Sequence, residues 1–294
     1  MASLKEIRGR INSITGTRKI TGAMKMVSSA KLHKAQEQVI HFDPYCRRIK
    51  GMLDSYIANG GDTENVTLLS GRREVERVAI VAFSSNSSLC GSFNSNVRKR
   101  LDELLSVDYA TLPHKDVSLY LIGKKIYEEM SKRGAGYNIK GPFFDLAHKP
   151  DREVIDDICN ELIDLFISNE IDRVEIVYNR FKNTAIQLVE HEKLLPVAKP
   201  KSNPEKKRNI AYIVEPDAEQ FLSVIVPEIV HLQIYGAMLN SYASEHGART
   251  TAMQTATDNA DELIEDLVLE YNKLRQDAIT KEIIDIIGGS EVQR

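Results

Sequence analysis

Two long helical segments, one at each end of the chain, restrict the possible folds more than any other feature of this sequence. Between residues 3 and 58 there is one proline, Pro44, and apolar residues recur at helical spacing. The first four alternate by three and four residues, as in a heptad repeat: Leu4, Ile7, Ile11 and Ile14. At 1.5 Å per residue, a continuous helix here spans roughly 80 Å.

The apolar pattern of this first segment changes after its fourth heptad residue. Ile20, Met24 and Val27 are out of register with Ile14, and Gly16 lies between. We therefore expect a stutter, which is a local change in the winding of a coiled coil, in this part of the helix.

The second helical segment runs from Asp217 to about Ile287, and Gly288 is expected to end it. Its apolar positions at helical spacing are Leu263, Leu267, Tyr271, Leu274 and Ala278. This helix would be roughly 105 Å long, far beyond an ordinary globular helix. Because so narrow an apolar stripe does not stabilise a helix alone in water, each terminal helix needs a partner.

The charge distribution makes each terminal helix the obvious partner of the other. The chain has a formal net charge of -3, but residues 1–50 carry 11 Lys and Arg against 3 Asp and Glu. Residues 258–294 carry 4 basic against 10 acidic residues. Two helices with net charges of opposite sign favour a coiled coil between them.

The middle of the chain alternates between strand and helix patterns. Buried strands are predicted at 77–83, 117–122 and 173–178, and helices at 94–105, 124–133 and 151–168. This alternation indicates an open α/β sheet, of Rossmann-like type. Segments 184–191 and 210–214 are predicted to form a later hairpin. The predicted organisation is a helix over 1–58, an inserted α/β domain over 59–215 and a helix over 216–294.

Candidate chemistry in this chain is sparse. The loop Ser84–Asn96 follows a strand and precedes a helix, where phosphates often bind, but its one glycine, Gly91, fits neither a dinucleotide fingerprint nor a P-loop. Asn94 or Ser95 is expected to cap the next helix. Cys90 in this loop has no histidine at a recognisable spacing, so we interpret it as a packed thiol rather than a nucleophile.

Composition excludes further classes. The three cysteines form no CxxC pair or Cys/His cluster, so neither a zinc site nor a disulfide framework is predicted, and no cofactor is expected. The longest apolar runs are too short to span a bilayer. The basic first helix is compatible with nucleic-acid binding, but its charges surround the helix and aromatic residues are rare there, which favours an acidic helix or protein as partner.

The two terminal segments together resemble the gamma subunit of F-type ATP synthase. IRGRINSITGTRKITGAMKMVSSAKLHKAQ (7–36) is similar to the opening helix of that family, and the segment 244–289, which begins SEHGARTTAMQ, is similar to its closing helix. The central LCG sequence is present at 89–91. The order and spacing of these segments hold across essentially the whole chain.

The resemblance implies that the two terminal helices form a rotating shaft. In that family the terminal helices form an antiparallel coiled coil inside a hexamer of alternating alpha and beta subunits. The inserted domain lies at the foot of the shaft, against the epsilon subunit and the ring of membrane c subunits. Rotation of the shaft couples proton flow to ATP synthesis, and the nucleotide sites belong to the hexamer. The chain would then have no catalytic residue, small-molecule substrate or nucleic-acid partner of its own.

The same resemblance assigns contact residues. Met24 and Lys25 match the family segment KAMKMV, while four residues of the closing helix match RQxxITxE, and both regions imply coupling to the beta subunits. Those four residues are Arg275, Gln276, Thr280 and Glu282. The segment YIVEPD contains Tyr212, Glu215 and Asp217 and matches the foot region near the c ring and epsilon. The implied location is peripheral, on the cytoplasmic face of a bacterial inner membrane.

This sequence departs from the family pattern in its central loop and in its closing helix. Asn86-Ser87-Ser88 replaces the usual acidic-basic-glycine run before LCG, and Ser92 replaces a glycine after it. Gly247 replaces a helix-favouring alanine. Two other hypotheses remain open at this level: a nucleic-acid or scaffold protein that uses the basic helix, and an α/β enzyme that uses Cys90.

Overall fold

The computed structural model describes residues 3–59, 61, 66–69, 74–134, 136–198, 214 and 217–291, with side chains up to residue 284. Helix α1 spans Leu4–Ala58 and helix α6 spans Ala218–Glu291. By contacts the chain divides into two compact units. The coiled-coil unit comprises residues 1–29 and 249–294, and the sheet unit comprises residues 30–248.

The sheet unit is an open α/β structure. Its strands are β1 (Val78–Phe83), β2 (Val117–Ile122), β3 (Asn138–Phe143), β4 (Arg173–Phe181) and β5 (Gln187–Leu195). The helices between them are α2 (Phe93–Glu103), α3 (Lys124–Arg133), α4 (Phe144–His148) and α5 (Arg152–Ile167). The strand order is β3-β2-β1-β4-β5, with β1 to β4 parallel and β5 antiparallel at one edge. The predicted Rossmann-like α/β class is confirmed.

Both faces of this sheet are covered, which explains why its strands read as continuous apolar runs. All six residues of β1 are buried. Alternate β1 residues, such as Ile80, join a core with α2 and α3. The others, such as Val81, join a larger core that includes α5 and parts of both long helices.

The sequence did not predict two features of this unit, the pairing of β4 with β5 and strand β3. Strand β5 pairs with β4, and the predicted partner segment, 210–214, lies outside the described residues except for Val214. Strand β3 was not predicted, because none of the residues of this edge strand is buried and it contains Gly141-Pro142, which do not resemble a buried strand.

In the coiled-coil unit the two helices run antiparallel. The hydroxyls of Thr21 and Thr257 lie 2.8 Å apart, and Arg18 Nη1 lies 2.8 Å from Asp261 Oδ1. On α1 the residues turned inward follow an unbroken 3-4 alternation: Leu4, Ile7, Ile11, Ile14, Arg18, Thr21, Lys25 and Ser28. On α6 the corresponding residues are Met253, Thr257, Ala260, Ile264, Leu267, Tyr271 and Leu274, and Ala278 continues the same stripe past the start of α1. We call these residues the heptad seam.

The seam corrects two predictions from the sequence. The expected stutter is wrong, because the heptad continues through polar residues while Ile20 and Val27 are 62% and 59% exposed. The assignment of Leu263 to the seam is also wrong, because Leu263 is 51% exposed and Ile264 takes the inward position. Both errors arose from treating every apolar residue as an inward one.

Both long helices begin at a side-chain cap, and one predicted helix end is wrong. Ser3 Oγ accepts a hydrogen bond from the Glu6 amide at 3.2 Å, as a helix cap should. Asp217 Oδ1 accepts one from the Gln220 amide at 2.8 Å at the start of α6. Gly288 does not end α6, which continues to Glu291.

One helix of the described chain, Ala218–Ile284, contains an 18-residue window that is long and apolar enough to cross a membrane. Half of this window is buried inside the structure. The core helix of a protein without spans meets the same criterion, so the composition of α6 alone does not indicate a membrane span.

Candidate functional surfaces

In the middle of the coiled-coil unit, polar residues lie in the seam and apolar residues lie outside, the reverse of an ordinary coiled coil. We call this arrangement reversed polarity. Arg18, Thr21, Lys25 and Ser28 occupy the seam, and Thr21 and Ser28 are 8% and 3% exposed. The Thr21 hydroxyl also lies 3.1 Å from the carbonyl of Arg18, and the Thr257 hydroxyl donates to the carbonyl of Met253. Intrahelical bonds of this kind let a hydroxyl enter an interface without losing its hydrogen bonds.

The outer side of α1 carries the apolar residues that the seam lacks. Ile20 and Val27 are seven residues apart and therefore lie on one face, with Ala23 between them and Met26 beside them. Met26 is 69% exposed. We call Ile20, Ala23, Met26 and Val27 the outer apolar face. The sequence left open whether Met24 and Met26 mark an adaptable hydrophobic surface or ordinary coiled-coil packing, and it did not show that Ile20 and Val27 face outward.

The predicted coupling residues Met24 and Lys25 lie next to this face. Both are half-buried, and Lys25 belongs to the seam. Their position leaves part of each side chain available on the surface of the unit.

The other predicted coupling residues lie on the last part of α6. Arg275, Gln276, Thr280 and Glu282 are all exposed, and the Thr280 hydroxyl donates to the carbonyl of Gln276 at 2.9 Å. Ile279, Ile283 and Ile284 are 43%, 51% and 61% exposed beside them.

The register of the seam explains this exposure. With Thr21 level with Thr257, Leu4 is level with Leu274, so the residues of α6 from Arg275 to Glu291 extend beyond the start of α1. This projecting helix is roughly 25 Å long at 1.5 Å per residue. Among the described residues, α1 does not extend beside this part of α6, and a helix with exposed isoleucines is suited to binding another protein.

The structure does not bring the two groups of predicted coupling residues together. Met24 is level with the neighbourhood of Gln254, about 20 residues along α6 from Arg275, or roughly 30 Å. The unit therefore presents two separate surfaces, one around the outer apolar face and one on the projecting helix.

Of the three residues predicted for the foot, only Asp217 is described, as the residue that caps α6. Tyr212 and Glu215 lie outside the described residues.

The loop Ser84–Asn96 lies at the carboxyl ends of the parallel strands, beside the point where the strand order reverses. Ligands of doubly wound sheets bind in the crevice at this point. Here α6 fills it: the Ser244 hydroxyl donates to the carbonyl of Asn179 at 3.0 Å, and Ala248 packs against Cys90 and Phe93. A neighbouring cavity between Phe83, Ser84 and Tyr242 measures about 10 Å³, room for one water at most.

The loop itself is held by its own polar side chains. Asn94 Oδ1 accepts the Ser85 amide at 3.0 Å, and Asn94 Nδ2 lies 2.8 Å from the Ser85 hydroxyl. The expected cap at Asn94 or Ser95 is wrong, because α2 begins at Phe93 and Asn94 instead ties its first turn to the end of β1. Asn86 ties the loop to the first residues of two helices: its Nδ2 donates to the carbonyl of Phe144 in α4, and its Oδ1 accepts from the Lys124 amide in α3.

The cysteines have the surroundings of packed thiols. Cys90 is 2% exposed and accepts a hydrogen bond from Asn94 Nδ2 at 3.2 Å. Burial raises the pKa of the Cys159 thiol and raises that of Cys46 to about 11, which disfavours the nucleophilic thiolate. Over the described residues, no group of three or more His, Cys, Asp or Glu side chains could hold a metal ion.

Comparison with known proteins gives one consistent family. The family described as ATP synthase matches residues 3–292. The chain is 44% identical over 292 residues to the ATP synthase gamma chain of Phocaeicola vulgatus and 45% identical over 293 residues to that of Bacteroides fragilis, with 99% of each chain covered.

Solved structures agree on the fold. A chain of the Euglena gracilis mitochondrial ATP synthase, in a structure of OSCP, F1 and the c-ring, superposes with a TM-score of 0.64 at 19% identity. The match covers 99% of this chain and 94% of the Euglena chain. At this identity the likeness concerns the architecture of two long helices and an α/β sheet.

Proposed function

The chain belongs to the ATP synthase gamma-chain family, and on that premise we propose that it transmits rotation between a membrane ring and a catalytic hexamer. It is a central-stalk subunit of the membrane-associated ATP synthase, not a catalytic subunit. The finer assignment is that the coiled-coil unit turns inside a hexamer of alpha and beta subunits, driven by proton flow during synthesis. The observation that carries this assignment is the reversed polarity of the coiled-coil unit.

An isolated two-helix coiled coil would be more stable with Ile20 and Val27 in its seam and Thr21 and Ser28 outside. Their opposite placement makes sense if the outside of the unit is itself covered by protein. A surrounding sleeve of protein would bury the outer apolar face. This burial would offset the stability that is lost because polar residues occupy the seam. Met24 and Lys25 then lie at the edge of this contact, as the coupling role requires.

The projecting helix supports a second contact with the hexamer. Arg275, Gln276, Thr280 and Glu282 present polar groups around exposed isoleucines on a helix that no part of α1 reaches. Exposed ion pairs contribute only about 0–1 kcal/mol, so polar contacts here can exchange between successive subunits as the shaft turns. Unequal contacts with three chemically identical beta subunits would shift their conformational populations and so their nucleotide affinities.

We propose that the sheet unit forms the foot, and that Tyr212, Glu215 and Asp217 contribute to its contact with the c ring and the epsilon subunit. This assignment rests on family membership. It places the chain on the cytoplasmic face of a bacterial inner membrane, without a span of its own. The domain division proposed from the sequence, 1–58, 59–215 and 216–294, follows the same roles.

Reconstitution tests this function. The purified chain alone should not hydrolyse ATP, and mixing it with alpha and beta subunits should restore ATPase activity. Ile20→Asp should lower the restored activity roughly tenfold or more, because it forces a charge into a buried contact. Val107→Asp is the matched control, since Val107 is 73% exposed and belongs to the sheet unit, which the proposal assigns to the foot and not to the contact with the hexamer.

Normal reconstituted activity with Ile20→Asp would show that the outer apolar face is not covered. Failure of the unmodified chain to stimulate the hexamer would overturn the function itself. A titration with duplex DNA at two salt concentrations checks the remaining alternative. We expect no salt-dependent binding, because the chain is proposed to have no nucleic-acid partner.

A further inference from the structure

A buried polar network on the sheet unit takes no part in the proposed rotor contacts. Glu175 of β4 is 4% exposed, on the side of the sheet that α2 covers. Its Oε2 lies 2.7 Å from Nε2 of His191 on β5, and the Tyr109 hydroxyl also hydrogen-bonds to it. Nη1 of Arg173 lies 3.8 Å from Oε1 of Glu175. A buried carboxylate with three polar partners stays charged at neutral pH.

The second nitrogen of His191 faces α2. Arg100 Nη2 lies 3.1 Å from His191 Nδ1, and Arg100 Nη1 lies 2.7 Å from Glu103. A guanidinium has only donors, so it can bond to Nδ1 only while that nitrogen carries a lone pair. The contact therefore selects the neutral ring with its proton on Nε2, donated to Glu175.

Protonation of this ring breaks the contact with α2 and keeps the one with β4. The added proton occupies Nδ1, where two donors then face each other, while the Nε2–H bond to Glu175 is retained and strengthened. The His191 side chain is 21% exposed and Arg100 36%, so water can reach this nitrogen. Arg100 keeps Glu103 as its partner when it leaves the ring.

The charged and titratable groups around the ring come from every element packed on it: Arg100 and Glu103 of α2, Tyr109 after α2, Arg173 and Glu175 of β4, and Lys193 beside it on β5. Burial lowers the pKa of Lys193, and nearby Arg173 acts in the same direction. Histidine is the member of this set whose charge ordinarily changes between pH 5 and 8.

We propose that Arg100 and His191 form a proton-operated latch that holds the end of α2 to the β4–β5 hairpin. The latch is closed while the ring is neutral and opens when His191 gains a proton at Nδ1. Because α2 begins at Phe93, within the Ser84–Asn96 segment, the latch sets how firmly the helix that holds the end of this segment is bound to the sheet. This inference does not depend on the proposed rotor function.

The latch can be tested on the purified full-length chain. The His191 ring is titrated by NMR between pH 5 and 8, and amide exchange of residues 93–109 is compared at pH 5.5 and 7.5 after correction for intrinsic rates. In Arg100→Met, the His191 titration midpoint should move to higher pH by roughly 0.5 to 1 unit, the effect of one hydrogen bond. Exchange of α2 in the unmodified chain should be several-fold faster at the lower pH.

His191→Gln keeps one donor and one acceptor but cannot titrate, so its α2 exchange should lose the pH dependence. His33→Gln is the matched control, because His33 is 76% exposed in a simple pair with Glu37 on α1 and should leave the response unchanged. An unaltered His191 titration in Arg100→Met would overturn the proposal. So would an equal pH response in His191→Gln and the unmodified chain.

Discussion

Replacing Ile7 and Ile20 by alanine separates the inside of the coiled-coil unit from its outside. Ile7 is 1% exposed and Ile20 is 62% exposed on the same helix. Each substitution removes three carbons, worth about 0.8 kcal/mol each when buried. Ile7→Ala should therefore cost about 2.4 kcal/mol of local stability. Ile20→Ala should cost under about 1 kcal/mol, partly offset by the helix propensity of alanine.

Amide exchange of residues 4–29 in the isolated chain measures this difference without requiring the two units to unfold together. Ile7→Ala should accelerate exchange roughly 30-fold or more, and Ile20→Ala should change it by less than about fivefold. If the hexamer covers Ile20, Ile20→Ala should gain an effect in the reconstituted complex that it lacks in the isolated chain. Equal acceleration by both variants in the isolated chain would refute the assignment of the seam.

Three other predictions concern single sites. Thr21→Val combined with Thr257→Val should leave exchange of α1 unchanged or slower, because both polar partners become apolar groups of the same shape; faster exchange in this double variant would contradict the packing of this layer. Gly123→Ala should destabilise the sheet unit by several kcal/mol in urea unfolding, because φ is +97° and a Cβ would overlap the Ser84 carbonyl. The control is Gly91→Ala, which should cost only about 1 kcal/mol, because φ is +56° and the space around a Cβ is open. For Glu175, burial alone raises the pKa, but the bonds from His191 and Tyr109 and the charge of Arg173 outweigh it and hold that pKa below the ordinary value of 4.5. The contribution of Glu175 to stability is therefore complete above pH 4.5 and is lost as the pH falls through the lowered pKa. Glu175→Gln should flatten the fall of the unfolding free energy at acid pH. An unchanged fall would contradict this network.

The long helices and the interior strands were predictable from local pattern. Leu4, Ile7, Ile11 and Ile14 repeat at heptad spacing, and strand β2 has the bounds that its apolar run indicated. Such segments can be predicted because burial of both faces of a strand, or of one stripe of a helix, imposes a regular pattern of apolar residues. Edge strand β3 carries no such period.

The candidate surfaces were less predictable, because hydrophobicity shows that a residue is buried somewhere but not against what. Ile20 and Val27 were interpreted as seam residues out of phase, whereas they face outward. Thr21 and Arg18 can occupy the seam because each has a hydrogen-bonding partner on α6. These partners become known only from the register of the two helices. The assignments of Arg275, Gln276, Thr280 and Glu282 came from the family resemblance, and they remain predictions of contact.

The most direct test of the central claim is to observe the chain turning. A bead attached to the sheet unit, with an assembled alpha and beta hexamer fixed to a surface, should rotate in one direction when ATP is supplied and stop when it is removed. Steady ATP hydrolysis by such a hexamer around a chain that stays still would contradict the account.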